Sequence, residues 1–340
     1  MELVMEWSVE DRLRAKNAFD GSLVYGTGAF NRLTGRDRHL DQRQRVRDFF
    51  TDPKTGSLKN EICEKRTCPK CQGDEKSELF VKDGFPHVRC LSCQLVYVTP
   101  IINEEAVMRF YAEESSWTEV LFSEEQIRLD KRKFEYGLQL IEARQNSGRI
   151  LDIGCGPGFF LEAARERGWQ VGGMEMNVRC VERLNSLNIP VCTAPLEHSD
   201  LTDNSYDVVV MWEVLEHLRH PTEALQRVQK ILKPGGVLLI MVPNFGSLVN
   251  RLMHEKGGTF AGYSHINFFE PSTLFQIQQQ CGFDSIEIET VITELGTINN
   301  FLNFADPYMA KSEEALPLVT PQYIHDNLLG SRLLSIAIAG

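Results

Sequence analysis

A doubly wound α/β sheet of seven strands, preceded by a small cysteine-held domain, is the architecture that this 340-residue sequence predicts. Three observations carry that reading. From Arg149 onward, short apolar runs alternate with helix-period segments, the pattern of parallel strands buried on both faces. The run Ile150–Ile153 passes into a glycine-rich turn, Gly154-Cys-Gly-Pro-Gly158, and a helix follows from Phe159. Ahead of these, two Cys-x-x-Cys pairs stand eighteen residues apart.

The turn is the most informative stretch. Gly154, Gly156 and Gly158 occupy alternate positions, where a missing Cβ frees φ and lets a ligand lie against backbone N–H groups. Asp152 stands two residues before the first glycine. Glu175 ends the next apolar run, Val171–Met174, at the place where an acid accepts hydrogen bonds from both hydroxyls of a ribose. An adenosine derivative fits this pair. Dinucleotide folds use G-x-G-x-x-G to seat a pyrophosphate at a helix N-terminus, whereas this turn reads D-x-G-x-G-x-G. It resembles motif I of the class I S-adenosylmethionine-dependent methyltransferases. That resemblance implies a Rossmann-like fold and S-adenosylmethionine as cofactor, held by Asp152, Gly154, Cys155, Gly156, Gly158, Phe159, Glu175 and Met176. In that family the glycines pass the methionine part of the cofactor and the acid neighbours its ammonium.

Charge narrows the partners. The formal net charge is −11 and the pI about 5.3, which argues against a broad basic face for nucleic acid. Residues 1–100 carry 17 Lys and Arg against 15 Asp and Glu, and the remainder 19 against 32, so the acidic part is the sheet-forming part. No apolar run approaches the ~20 residues needed to span a bilayer, and the first thirty residues lack a signal-peptide pattern. A cytoplasmic location without a membrane partner is expected. The nine cysteines are then metal ligands and core thiols, with no disulfide framework.

Residues 1–62 read as a helical extension. Ser8 caps a helix to Ala18, Leu40–Phe50 forms another, and Gly21, Gly26 and Gly28 interrupt the pattern between them. Arg43, Arg45 and Arg47 read as a solvated helix face rather than an anion site. In residues 63–100, Cys68, Cys71, Cys90 and Cys93 have the spacing of a four-thiolate zinc ribbon, with a redox dithiol or unmetallated thiols as the alternatives. Four thiolates leave no position for water or substrate, so Zn2+ there is structural. Asp83-Gly84 marks a hairpin turn. The whole run looks like the amino-terminal ribbon fused to many bacterial methyltransferases that modify small molecules and sugars.

Residues 101–148 read as two helices, Glu104–Ala112 and Ser123–Arg144, the second capped by Ser123. In the resembling family such helices lie over the cofactor. Tyr111 and Trp117 are then either pocket aromatics or helix-packing residues. Residues 149–340 form the sheet domain. Leu196 and Glu197 follow its third strand, where the family's adenine-edge residues sit, without the Asp usual in that motif. The fourth strand, Tyr206–Met211, runs into Trp212-Glu-Val-Leu-Glu-His217; since ligands bind beyond the carboxyl ends of such strands, Trp212 and Glu213 face the pocket. This stretch resembles the Val-Leu-Glu-His signature of ubiquinone-biosynthesis-type O-methyltransferases.

His217 is either a base or a histidine satisfied by hydrogen bonds. Residues up to Gly262 after the fifth strand read as a lid. In the resembling enzymes, the segment Gly262–Phe269 borders the methyl acceptor; His265 is the leading candidate for a general base, and Tyr263 a candidate for orienting substrate. Residues 297–328 read as a polar insertion, and Leu333–Ile338 as a last, antiparallel strand. The function expected is methyl transfer from S-adenosylmethionine to a small-molecule acceptor, a sugar or secondary-metabolite intermediate, at oxygen, nitrogen or carbon. Two rivals are an RNA-modifying enzyme that reads its substrate with the ribbon and a cofactor-binding regulatory protein without catalysis.

Overall fold

A computed structural model describes residues 7–35, 39–113, 116–303 and 319–340. The valine-, leucine- and isoleucine-rich runs assemble one seven-stranded sheet: β1 (Arg149–Ile153), β2 (Gln170–Met174), β3 (Val191–Cys192), β4 (Tyr206–Trp212), β5 (Leu232–Pro243), β6 (Phe283–Val291) and β7 (Arg332–Ala339). Their order is β6-β7-β5-β4-β1-β2-β3. Strands β1 to β5 pair in parallel, and β7 runs antiparallel to both β5 and β6, as expected for the last strand. The chain leaves β1 toward β2 and β3 on one side, then returns to place β4 and β5 on the other. The resulting switch point opens a crevice at the carboxyl ends of β1 and β4, where the glycine turn and the Trp212–His217 stretch emerge.

Alternation along β4 feeds two cores. Val209 and Met211 join one apolar cluster, and Val208 and Val210 the other, each worth ~1.5–3 kcal/mol when fully buried. The helix Glu124–Glu142 closes one face. Ser123 accepts from the Gln126 N–H at its start, Glu124 and Glu125 complement its dipole, and Phe134, Leu138 and Ile141 are buried. Gly137 in that helix is required by close approach: a Cβ there would stand 2.6 Å from the Trp212 ring.

The ribbon has strands Lys76–Lys82, Phe85–Cys90 and Val96–Val98, joined at one end by a turn with Asp83 at φ 49° and Gly84 at φ 86°. Its fourth strand comes from the sheet domain. Asn267–Phe268 pairs antiparallel with it, Asn267 opposite Tyr97 and Phe268 opposite Val96.

Three expectations are corrected. Arg43 and Arg47 do not form a merely solvated face: both guanidiniums bind the Asp83 carboxylate at the hairpin tip, at 2.9 and 3.0 Å. Of the glycines of residues 21–28, Gly26 at φ 74° does interrupt the pattern, as the cap of Thr27–Thr34, but Gly21 and Gly28 do not, since they lie inside the short helices Gly21–Val24 and Thr27–Thr34. The start of the expected polar insertion is buried. Helix Leu295–Asn303 packs Ile298 against Val249 and Met253, and residues 304–318 lie outside those described. The side chains of Tyr111 and Trp117 also lie outside them. Among the described residues no helix is long and apolar enough to cross a membrane.

Candidate active site

The cradle starts where β1 ends. Gly154, Gly156 and Gly158 have φ of 70°, 52° and 82°, the left-handed region that disfavours a side chain. Two of them are also required by packing: a Cβ at Gly154 would lie 2.6 Å from Val214, and one at Gly158 2.4 Å from Leu184. Gly156 differs, since nothing lies within 4 Å of its Cβ position. A side chain there would meet open space, and the main chain at Gly154 is exposed as well. The turn's amides, however, are spent internally. Gly154 and Cys155 donate to the Met174 carbonyl, Gly158 donates to Cys155, and Gly156 donates to Glu175 Oε2 at 2.8 Å. The seat therefore offers surface rather than the free N–H groups suggested by the glycine spacing.

Glu175 caps this arrangement from the tip of β2. Its Oε1 accepts from the N–H groups of Met176 and Asn177 at 2.7 and 2.8 Å. Asp152 lies beneath, 1% exposed, and its Oδ1 has no hydrogen-bond partner. Burial pushes its carboxyl well above the usual range and the Glu175 charge adds to this, while Lys133 pulls the other way. A buried carboxyl with an idle oxygen fits a cationic donor such as an ammonium, which would hold it ionised. Cys155 turns its thiol into the core, so it contributes main chain to the cradle; Met176 is exposed, and the Phe159 ring lies under the Arg183 guanidinium. Leu196 is buried in the core and Glu197 is exposed.

The second half of the site follows β4. Trp212 is wedged between Phe134 and Phe160, and its indole N–H is buried without a partner. Glu213, at φ 55°, is held by its N–H to the Met241 carbonyl and ion-pairs with Arg332 at the start of β7. Burial alone would raise its carboxyl, but Arg332 and then Lys133 pull it down to about 2. A short 3-10 turn, Leu215–His217, comes next. Glu216 is 1% exposed and neither carboxylate oxygen has a partner; burial, and then the Glu213 charge, push it well above the usual range.

His217 Nδ1 lies 2.9 Å from the Ser264 carbonyl and His265 Nδ1 lies 2.9 Å from that of Thr259. A carbonyl only accepts, so both Nδ1 atoms carry hydrogen and both Nε2 atoms keep a lone pair. The two rings meet edge to face at 4.8 Å, and Glu216 Oε1 stands 3.8 Å from His217 Nε2. Desolvation first, then His217, pushes the half-buried His265 down to about 3, whereas the His217 side chain is 38% exposed. Glu216, His217 and His265 each present a ligand atom within 4.8 Å of the others, a spacing too long for a shared proton but one that could surround a cation. The structure thus brings together the two predicted histidines. Tyr263 instead stacks on Phe50 and meets Phe110 edge-on.

Sequence reasoning overlooked Glu216, Lys133 and Arg332. The first was legible as the neighbour of His217. The other two lie on a covering helix and on the last strand, where only the fold directs them to the crevice.

The cysteine centre is separate from this crevice. Cys68 and Cys93 sulfurs lie 3.4 Å apart, those of Cys71 and Cys90 3.5 Å apart, and all four lie within 4.8 Å of one another. Two similar loops present them: Gln72 N–H donates to the Cys68 carbonyl and Gln94 N–H to that of Cys90. Four converging soft thiols fit tetrahedral zinc with sulfur at about 2.3 Å. His87 is buried among Phe80, Phe260 and Phe268.

Residues 125–288 match a family described as a methyltransferase domain. The ubiquinone biosynthesis O-methyltransferase of Idiomarina loihiensis is 31% identical over 163 residues, covering 42% of this chain and 65% of that protein. The enzyme of the same name from Aeromonas salmonicida is 38% identical over 152 residues, covering 39% and 62%. The chain therefore spans a little under two thirds of the length of these curated relatives. Among solved structures, an S-adenosylmethionine-dependent methyltransferase of Thermotoga maritima, described as a possible histamine N-methyltransferase, is 20% identical with a TM-score of 0.47, covering 69% of this chain and 100% of that one. The matched residues run from the covering helix through β1 into β6, and so contain the glycine turn, Glu175 and the Trp212–His217 stretch.

Proposed function

We propose that the chain transfers a methyl group from S-adenosylmethionine to a small-molecule acceptor, a sugar or a secondary-metabolite intermediate. The observation that carries this reading is the combination of an idle Asp152 oxygen on β1, the open Cβ position at Gly156 and the Glu175 carboxylate anchored on the Gly156 N–H. Asp152 would hold the cofactor's ammonium and Glu175 its ribose hydroxyls, with Phe159, Met176 and Trp212 around them. The cofactor, when bound, supplies a methyl group on a sulfonium sulfur. The protein's own contribution is largely position: an in-line displacement is accelerated by holding the acceptor atom at near-attack distance.

His265 is neutral at physiological pH and, with His217 beside it, would orient the acceptor through its Nε2 lone pair; pushed down to about 3, it is a weak base, so orientation rather than proton removal is its main contribution. Zinc in the ribbon serves structure. Calorimetric titration with S-adenosylmethionine and, separately, with NAD tests the reading: micromolar binding of the first supports it, and binding of NAD alone would overturn it.

A further inference from the structure

The segment that carries His265 has little secondary structure of its own. After the 3-10 turn His254–Lys256, its internal main-chain bonds include Ala261 to Thr259 and both Ser264 and His265 to Ala261, before the two-residue strand Asn267–Phe268. Much of its support comes from the ribbon. Lys82 donates to the Gly257 carbonyl, Phe80 meets Phe260 at 5.0 Å, and Phe85 packs so closely on Gly262 that a Cβ there would lie 2.4 Å away. Val98 N–H donates to the Ile266 carbonyl at 3.0 Å, extending the pairing of Asn267 with Tyr97.

One side chain ties these parts together. Arg66, two residues before Cys68, donates from Nε to the Val98 carbonyl at 3.0 Å. Its Nη2 reaches the Ile266 carbonyl at 2.5 Å and Asn267 Oδ1 at 3.1 Å, and its Nη1 reaches the Arg219 carbonyl at 3.5 Å. All four acceptors are neutral. The guanidinium thus spans the ribbon edge, the residues just after His265 and the segment just after His217. Two further bonds close the circuit: Ile266 N–H to the Glu216 carbonyl at 3.0 Å, and Asn267 Nδ2 to the Leu218 carbonyl at 2.7 Å. A planar, five-donor group suits this task, which the single ammonium of lysine reproduces only in part.

We propose that the cysteine ribbon is the positioning element of the two histidines, and that Arg66 is the positioning residue through which it acts. It touches neither imidazole. Its effect is to fix the main chain on which their carbonyl partners and their mutual approach depend. The inference rests on the reading that His217 and His265 stand at the acceptor end, and it is tested without an acceptor.

Full-length, zinc-loaded wild type, Arg66→Ala and Arg66→Lys are compared by bound zinc, by affinity for S-adenosylhomocysteine, by amide exchange over residues 259–268, and by the imidazole nitrogen resonances of His217 and His265. Arg66→Ala should keep its zinc and bind S-adenosylhomocysteine within about twofold of wild type. Its amides at His265 and Ile266 should exchange about tenfold faster or more, and both imidazole signals should move, with Arg66→Lys intermediate. Unchanged exchange and imidazole signals would overturn the proposal. So would joint loss of zinc and ligand binding, which would make Arg66 a general support of the fold. If wild type itself fails to bind S-adenosylhomocysteine, the functional reading fails, while exchange and imidazole signals still judge Arg66.

Discussion

The three glycines of the cradle can be separated by experiment, because the same substitution meets different surroundings at each. At Gly156 an alanine suffers only the left-handed backbone at φ 52°, a cost of ~1–2 kcal/mol, since its methyl group enters open space. At Gly158 the backbone is also left-handed, φ 82°, and the methyl group would stand 2.4 Å from the Leu184 side chain, adding ~1–3 kcal/mol of overpacking. Gly154→Ala resembles Gly158→Ala, with Val214 at 2.6 Å. Urea unfolding should therefore rank Gly156→Ala as the mildest of the three. Ligand affinity should run the other way relative to stability. The Gly156 methyl group would enter the open space in which the proposed ligand lies, so Gly156→Ala should lose about a hundredfold in affinity for S-adenosylhomocysteine, ~2.7 kcal/mol, while remaining folded. A Gly156→Ala protein that binds as tightly as wild type would show that the ligand seat lies elsewhere.

Other expectations follow from the same geometry. Glu175→Gln places an NH2 group against N–H donors that the carboxylate now accepts, so it should weaken S-adenosylhomocysteine by about tenfold or more without releasing zinc; calorimetry and metal analysis read both. Purified protein should hold about one zinc per chain, and Cys93→Ser should lower that content; a metal-free wild type with an intact ribbon would refute the assignment. His265 has a folded pKa of about 3, below the ordinary 6.5, so its contribution to stability is complete above about pH 6.5 and is lost as pH falls toward 3. His265→Asn should reduce the steepness of acid destabilisation by at most ~1.4 kcal/mol per pH unit in that window, less for solvent screening, as read by chemical denaturation at several pH values. An unchanged slope would refute a neutral, protected imidazole.

Much of this was legible in the sequence, and the exceptions have physical causes. Buried parallel strands are written as continuous apolar runs, so β1, β4 and β5 are plain from composition alone, and the antiparallel β7 follows the same logic. The glycine turn and Glu175 were readable because their roles are local to one strand and the next. Other features depend on distant chain segments. Arg43 and Arg47 look solvated in sequence, and only the fold carries Asp83 to them, forty and thirty-six residues away. Arg332 meets Glu213 across 119 positions. Tyr263 was expected near substrate from its neighbourhood to His265, yet successive residues in an irregular segment point in different directions, and its ring joined Phe50 and Phe110.

The two-residue strand Asn267–Phe268 has a consequence for how the molecule comes apart. A fragment lacking the first hundred residues would leave those backbone groups and the apolar faces of Phe260 and Phe268 bare to water, an adhesive edge of the kind that drives self-association. Cys68, Cys90 and Tyr97 share one interior with Leu274 and Ile277 of the sheet domain. Chelation and heating should consequently melt the amino-terminal module and the segment around Phe260–Phe268 in a single step.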